Sequence, residues 1–265
     1  MENFAGYFAS GLIGISLGLI GGGGSIIVIP VLVYLFHIEP TLATAYALFI
    51  VGTTSLVGGI RNALQNMVDV KSALLFAFPS TLAVYFIRHY VLPHIPEAIV
   101  TLYDFTLTKD VAIMLFFSII LLVASLRMIR NTTPDYHESQ TKQSKFFMTI
   151  ILGVLVGIIT GIIGAGGGFL IIPALILMAG LPMKKAIGTS LIIIAVNSLV
   201  GFVGDISLLP EINFSLMTIL SGLAVGGVFL GTYLTKFIEG KNLKVGFGWF
   251  ALTMSVYILI KEVII

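Results

Sequence analysis

Gly18-Leu-Ile-Gly-Gly-Gly-Gly-Ser-Ile-Ile-Val-Ile-Pro30 sets four consecutive glycines inside an apolar run that covers residues 4–36. Such a run favours a helix, yet each interior glycine disfavours one by about 1 kcal/mol relative to alanine. Two folds follow from two readings of this stretch. Either residues 4–36 form one long crossing of a membrane, or the helix breaks at the glycines and the chain turns back.

The rest of the chain establishes the membrane. Of its 265 residues, 58% are hydrophobic and 10% charged, with a mean hydropathy of +1.11, whereas soluble domains carry about 25% charged residues. Met1-Glu-Asn leads directly into the apolar run with no cleavage pattern, so the N-terminus is expected to be the mature one. The absence of cysteine excludes disulfides, thiolate metal sites and cysteine nucleophiles. No basic stripe or recognition motif points to nucleic acid.

A helix needs roughly 20 apolar residues to cross the hydrocarbon layer. Candidate segments are 4–36 and 146–179, both interrupted by glycines, and 42–60, 73–90, 111–129, 186–203, 214–238 and 245–260. The long polar stretch at 130–145, RNTTPDYHESQTKQSK, reads as an exposed linker between two halves of similar size.

The halves are repeats. An ungapped shift of 143 positions sets Gly18, Ile20, Gly21, Gly23, Gly24 and Pro30 on Gly161, Ile163, Gly164, Gly166, Gly167 and Pro173. It then sets Ala43 on Ala186, Leu48 on Leu191, and Ser55-Leu-Val-Gly58 on Ser198-Leu-Val-Gly201. Shared glycines and a shared proline are more than apolar composition supplies by chance. Internal repeats of this kind mark secondary-transporter folds.

Loop charges decide between the two readings of the glycines. If both broken elements cross once, Lys and Arg divide evenly, with seven on each side. If both turn back, one side holds Arg61, Lys71, Arg127, Arg130, Lys142, Lys145, Lys184, Lys185, Lys236, Lys241 and Lys244. The other then keeps Arg88, Lys109 and Lys261. Only the second arrangement obeys the positive-inside rule. The sequence therefore predicts an all-α polytopic membrane protein of two inverted repeats, 1–130 and 146–265, joined by a cytoplasmic linker at 131–145. Each repeat has a Gly-broken or re-entrant first helix followed by three transmembrane helices. Both termini are expected outside the cytoplasmic membrane. Pro30 and Pro173 are expected to sharpen the breaks, each restricting its predecessor and suiting a first helical turn.

Irregular backbone survives at membrane depth only where protein buries it or a polar cavity meets it. The two breaks, entering from opposite sides, are expected to meet near the midplane and offer free backbone N–H groups, which bind anions. The candidate substrate-binding residues are Gly21, Gly22, Gly23, Gly24 and Ser25 in the first half and Gly164, Gly166, Gly167 and Gly168 in the second. Close helix packing, the other use of glycine in membranes, asks for small residues spaced along a face. That suits Gly11, Gly14, Gly153 and Gly157 better than the consecutive clusters.

Thr53, Thr54 and Ser55 correspond to Val196, Asn197 and Ser198 under the shift, so the polar members are candidates for lining the cavity. Thr189 and Ser190 fall on Tyr46 and Ala47 and join the candidates without symmetry. Back-bonding to their own helix is the common alternative for such hydroxyls. Arg61, Asn62 and Asp205 stand at helix ends as candidates for a vestibule, Arg61 otherwise being an interfacial side chain. No H-E-x-x-H pair, intramembrane carboxylate pair or phosphate-binding loop occurs, so neither metal hydrolysis nor ATP hydrolysis has its residues. The expected partners are a small anion, a coupling proton or Na+, and bilayer lipid. Exposed helix faces are compatible with a homodimer, and no cofactor is expected.

GLIGGGGSIIVIPVL followed by ATAYALFIVGTTSLVG, and GIIGAGGGFLIIPALI followed by AIGTSLIIIAVNSLVG, resemble the doubled signature of the sulfite exporter TauE/SafE family. The resemblance covers both halves and the linker. It implies a bacterial or archaeal cytoplasmic-membrane permease that moves sulfite, sulfoacetate or related organosulfonates; the missing catalytic groups argue separately against an enzyme. Ala45-Tyr-Ala47 departs from Gly188-Thr-Ser190 and leaves one polar contact of the first half in doubt.

Overall fold

The computed structural model describes residues 2–102, 105–130, 142–164, 166–206, 212–235, 237–238 and 240–264, so most of the expected linker lies outside the described residues. Helix α1 (Glu2–Ile20) stops where the glycines begin. Gly21 takes φ +67°, and a tight 3₁₀ turn over Gly21–Ile27 carries the chain into α2 (Val28–Leu35). In the second half α6 (Lys142–Ile163) stops before Gly164, whose φ is +76°, and α7 (Gly168–Ala179) begins after it. The left-handed conformation costs other L-residues roughly 1–2 kcal/mol. Glycine at 21 and 164 thus sets where both helices end.

The prolines contribute less than expected. Pro30 stands in the first turn of α2, but its predecessor Ile29 is helical, and Pro173 lies inside α7 with helical residues before it. The breaks belong to the glycines.

The first break reverses the chain. Gly24 packs on the backbone of Ser16 and Leu17, and a methyl on Gly6 would strike the Phe36 ring. Tyr7 meets Phe36 edge-on at 5.8 Å. The two ends of the run at 4–36 are therefore neighbours, and the element is a hairpin. His37, at φ +53°, then leads into α3 (Pro40–Leu64), where the proline occupies the first turn.

After α3 come α4 (Val70–Phe86), extended by a π turn at Ile87–Val91, and α5 (Lys109–Arg130). The second half continues with α8 (Met183–Ile206), α9 (Phe214–Leu234) and α10 (Gly240–Ile264). Among the described residues, Pro40–Leu64, Val70–His94, Met183–Ile206 and Phe214–Leu234 are helical segments long and apolar enough to cross a membrane. Between the candidate segments at 73–90 and 111–129 lies a short antiparallel ladder, β1 (Ala98–Leu102) with β2 (Phe105–Thr108), in which Thr101 faces Thr106. β-Branched residues at Ile99, Val100 and Thr101 favour such pairing.

Helix packing uses small residues where backbones approach. Gly14 and Gly18 in α1 lie against Ala224, Val228 and Gly231 of α9, and Gly157 and Gly161 in α6 lie against Ser80, Val84 and Ile87 at α4. Gly153 meets Pro79, whereas Gly11 has open space on its side-chain side. Further large contacts join α3 to α8 and α9, α4 to α8, and α5 to α10. Apolar side chains on the outer face of α4, including Leu74, Phe78, Leu82 and Phe86, are exposed, as a lipid-facing surface requires.

Candidate functional site

The two glycine breaks touch. A methyl on Gly22 would fall on Gly168 Cα, and one on Gly168 would fall on Gly22 Cα, so neither position has room for a side chain. Gly21 faces Ser190 Oγ and Ile187, while Gly166 faces Ser198 Oγ and Val51, both at 2.8 Å from where its Cβ would stand. Gly167 faces Thr160. Gly23 lies within the 3₁₀ turn.

The sequence expects free amides at both breaks, and the two differ in how the chain continues past them. In the first, the 3₁₀ turn runs straight into α2 and the Val28 N–H already donates to Ser25 O. In the second, α7 starts afresh at Gly168, and the Leu170 and Ile171 N–H groups already donate to Gly167 O, so only the earlier amides stand ahead of the helix's own bonds.

Behind the breaks α3 and α8 run antiparallel. Gly52 packs on Leu199 and Gly59 on Ile192, a register that sets position 54 against position 197. Thr54 Oγ1, Ser55 Oγ, Asn197 Nδ2 and Ser198 Oγ are all buried without hydrogen-bond partners in the protein. These four atoms stand at positions equivalent under the 143-residue shift. Asn197 Oδ1 accepts from Ser80 Oγ at 3.1 Å and Thr81 Oγ1 at 2.6 Å, which orients the amide and leaves its donors free. Buried polar groups without partners cost about 1–3 kcal/mol each, so a cluster of them implies a ligand or water between them.

Among the other candidates, Ser25 donates to Gly22 O, Thr53 to Phe49 O, Ser190 to Ile187 O and Asn62 to Gly58 O, all within their own elements. Thr189 Oγ1 accepts the Asp69 N–H at 2.9 Å at the start of α4, and Tyr46, its equivalent, accepts the Asn213 N–H at 2.6 Å before α9. The two residues of unlike chemistry thus perform one task. Thr189→Val is expected to lower stability by about 1 kcal/mol by orphaning that amide. The KM for transport is expected to stay unchanged, as read by denaturation and uptake on the same preparation.

Arg61, Asn62 and Asp205 do not share one vestibule. Gly188, near the start of α8, packs on Asn62 and Met67, which places Arg61 and Asn62 at one end of the α3–α8 pair. Arg61 lies over Phe229, 5.1 Å from its centroid, and donates to Phe229 O at the surface. Asp205 is buried at the opposite end, where its Oδ2 accepts from Arg88 Nη1 at 2.7 Å.

Arg88 is the residue that loop counting misplaced. It sits in the π turn after α4 with its side chain 1% exposed, and also donates from Nη1 to Thr44 Oγ1 at 3.0 Å. Its presence inside the apolar run at 73–90 was the available signal, because an intramembrane ionisable residue marks a functional site by default. Asp205, placed at a helix end by the sequence, is likewise a buried carboxylate near the end of α8. Lys109, ahead of the apolar part of α5, donates to Leu92 O at 2.6 Å. Burial lowers its ammonium below the usual lysine range, Asp110 opposes that shift, and Arg88 adds to it.

The model of the family described as "Sulfite exporter TauE/SafE" matches residues 7–258. The chain belongs to that family. A relative from Xylella fastidiosa strain 9a5c, "Probable membrane transporter protein", is 30% identical over 264 residues, covering 95% of this chain and 92% of its own. A second, from Haemophilus influenzae, carries the same description at 25% identity over 94% and 95% of the two chains. "Probable membrane transporter protein YunE" from Bacillus subtilis is 27% identical over 73% and 74%. No solved structure matches the chain. Membership covers both glycine breaks and the polar cluster, and assigns this TauE/SafE chain to membrane transport. Among the described residues no group of His, Asp and Glu could hold a metal ion.

Proposed function

We propose that the protein is a secondary transporter of small sulfur-containing anions such as sulfite, sulfoacetate or a related organosulfonate. The anion is held at the membrane midplane between the two glycine breaks and exposed to each side in turn. The observation that carries this reading is the contact of Gly22 with Gly168 beside the unpartnered cluster of Thr54, Ser55, Asn197 and Ser198. Such a cluster solvates an oxyanion with neutral donors, and the start of α7 adds a positive helix end.

Inverted repeats supply the two-sidedness. Exchanging the halves turns the α1–α9 contact into α6–α4 and the α4–α8 contact into α9–α3, and returns α3–α8 and α5–α10 to themselves. The paired bonds of Tyr46 and Thr189 follow the same exchange. With Arg88 buried, eleven loop cations stand on one side against Lys109 and Lys261 on the other, which supports both termini outside the cytoplasmic membrane. An ion gradient, of protons or Na+, or the gradient of the substrate itself drives the cycle, since the sequence carries no ATP-binding loop.

The test is uptake of labelled sulfite, sulfate and sulfoacetate into proteoliposomes, with and without a pH gradient, by the wild type and Gly166→Val. Saturable uptake of a sulfur anion is expected, with a drop of at least about tenfold in the variant, because valine would strike Ser198 and Val51 and cannot adopt φ +69° without strain. Uptake that does not saturate would mean a channel. A variant that inserts and transports normally would return the glycines to a packing role.

A further inference from the structure

Arg88 presents an unused edge. A guanidinium carries five N–H donors in a planar fork, and opposite edges of the plane serve different partners. The Nη1 end of Arg88 donates to Asp205 Oδ2 at 2.7 Å and to Thr44 Oγ1 at 3.0 Å. Its Nε and Nη2 atoms are buried and have no partner. Nη2 lies against the second break, where a methyl on Gly164 would collide with it. Gly164, with no side chain, therefore lets the guanidinium lie directly on the second break.

We propose that the Nε–Nη2 edge of Arg88 is the charged docking edge for the oxyanion group of the transported substrate, a sulfonate or sulfite, two of whose three oxygens match the two parallel N–H donors. This rests on the anion-transport reading and deepens it by naming the cation of the site. Bidentate pairing of this kind is stronger and more directional than a single hydrogen bond to a point charge. Asp205 and Thr44 act as positioning residues, since by fixing Nη1 they hold the plane with its free edge toward Gly164. The neutral polar cluster at 54, 55, 197 and 198 lies ten residues farther along α3 from Thr44, about 15 Å at 1.5 Å per residue, and receives the anion as it moves on between the breaks.

The chain has four arginines, at 61, 88, 127 and 130, so the side-chain Nε–H resonances of nitrogen-15-labelled protein in nanodiscs are few, and Arg88→Lys assigns the one of interest. Titration with sulfoacetate, with sodium acetate and chloride as controls, is expected to move the Arg88 signal saturably and leave the other three in place. In proteoliposomes Arg88→Lys is expected to raise the KM for uptake by about tenfold or more, because lysine keeps the charge and loses the fork. The double variant Arg88→Gln with Asp205→Asn removes both buried charges together and is expected to insert but to lose uptake. Saturable wild-type uptake with an unmoved Arg88 signal and an unchanged KM in Arg88→Lys would overturn the proposal and leave the transport reading standing. An Arg88 signal that moves without any uptake would support the docking edge and sink the transport reading. If there is neither uptake nor a shift, both fail.

Discussion

Gly22→Val is expected to lower anion uptake by roughly 100-fold, the scale on which a preorganised site responds to a displacement of about 1 Å. The reason is geometric: the side chain would fall on the Gly168 backbone, and backbone cannot swing aside as a rotamer can. Ile194 Cδ1 stands at the same spot, so there is no second direction of relief. Overpacking of an interior costs typically about 1–3 kcal/mol even where side chains can adjust, so a lower unfolding midpoint in detergent is expected as well. Gly11→Val is the control, since nothing lies within 4 Å of a side chain there, and it is expected to transport normally. Equal uptake by Gly22→Val and wild type, at equal levels of insertion, would show that the contact between the breaks is dispensable.

Asp205→Ala is expected to cost about 3–5 kcal/mol of stability, because it strands the Arg88 guanidinium in the protein interior with its principal counter-charge gone. The pair itself contributes far less than this loss, since bringing both charges out of water offsets most of their attraction. The double change Arg88→Gln with Asp205→Asn should therefore recover most of the stability that Asp205→Ala removes. Denaturation followed by circular dichroism measures both. A single variant as stable as wild type would mean that Arg88 reaches water by another route.

Much of this was legible in the chain because its signals are local. Four glycines stop a helix wherever they occur, and loop lysines and arginines report sidedness without any tertiary contact. The hairpin at 4–36 followed from those two facts, and Tyr7 against Phe36 bears it out. The shift of 143 positions pointed to Thr53, Thr54, Ser55, Asn197 and Ser198; Thr53 bonds its own helix, and the other four carry unpartnered buried atoms, as do Arg88, Thr160 and Ser221. What was missed depends on distant partners. Arg88 counts as a loop charge until Asp205, 117 positions away, is found beside it. Thr189 and Tyr46 differ in chemistry, so sequence comparison called them asymmetric, yet each accepts one amide at the start of a neighbouring helix. The 3₁₀ turn at Gly21–Ile27 was hidden for another reason. Consecutive glycines permit many backbone paths, and packing on Ser16, Leu17 and Gly168 selects among them.

The central claim is that positions 54 and 198 line a cavity that opens to each side of the membrane in turn and holds the anion. The chain contains no cysteine, so Thr54→Cys and Ser198→Cys each introduce a single thiol into an otherwise unreactive protein. Labelling by a membrane-impermeant thiol reagent, applied separately from each face of sealed vesicles with and without sulfoacetate, is the most direct test. Modification from either face and protection by the anion are expected at both positions. Thiols that react from neither face, or react at the same rate with sulfoacetate present, would contradict it.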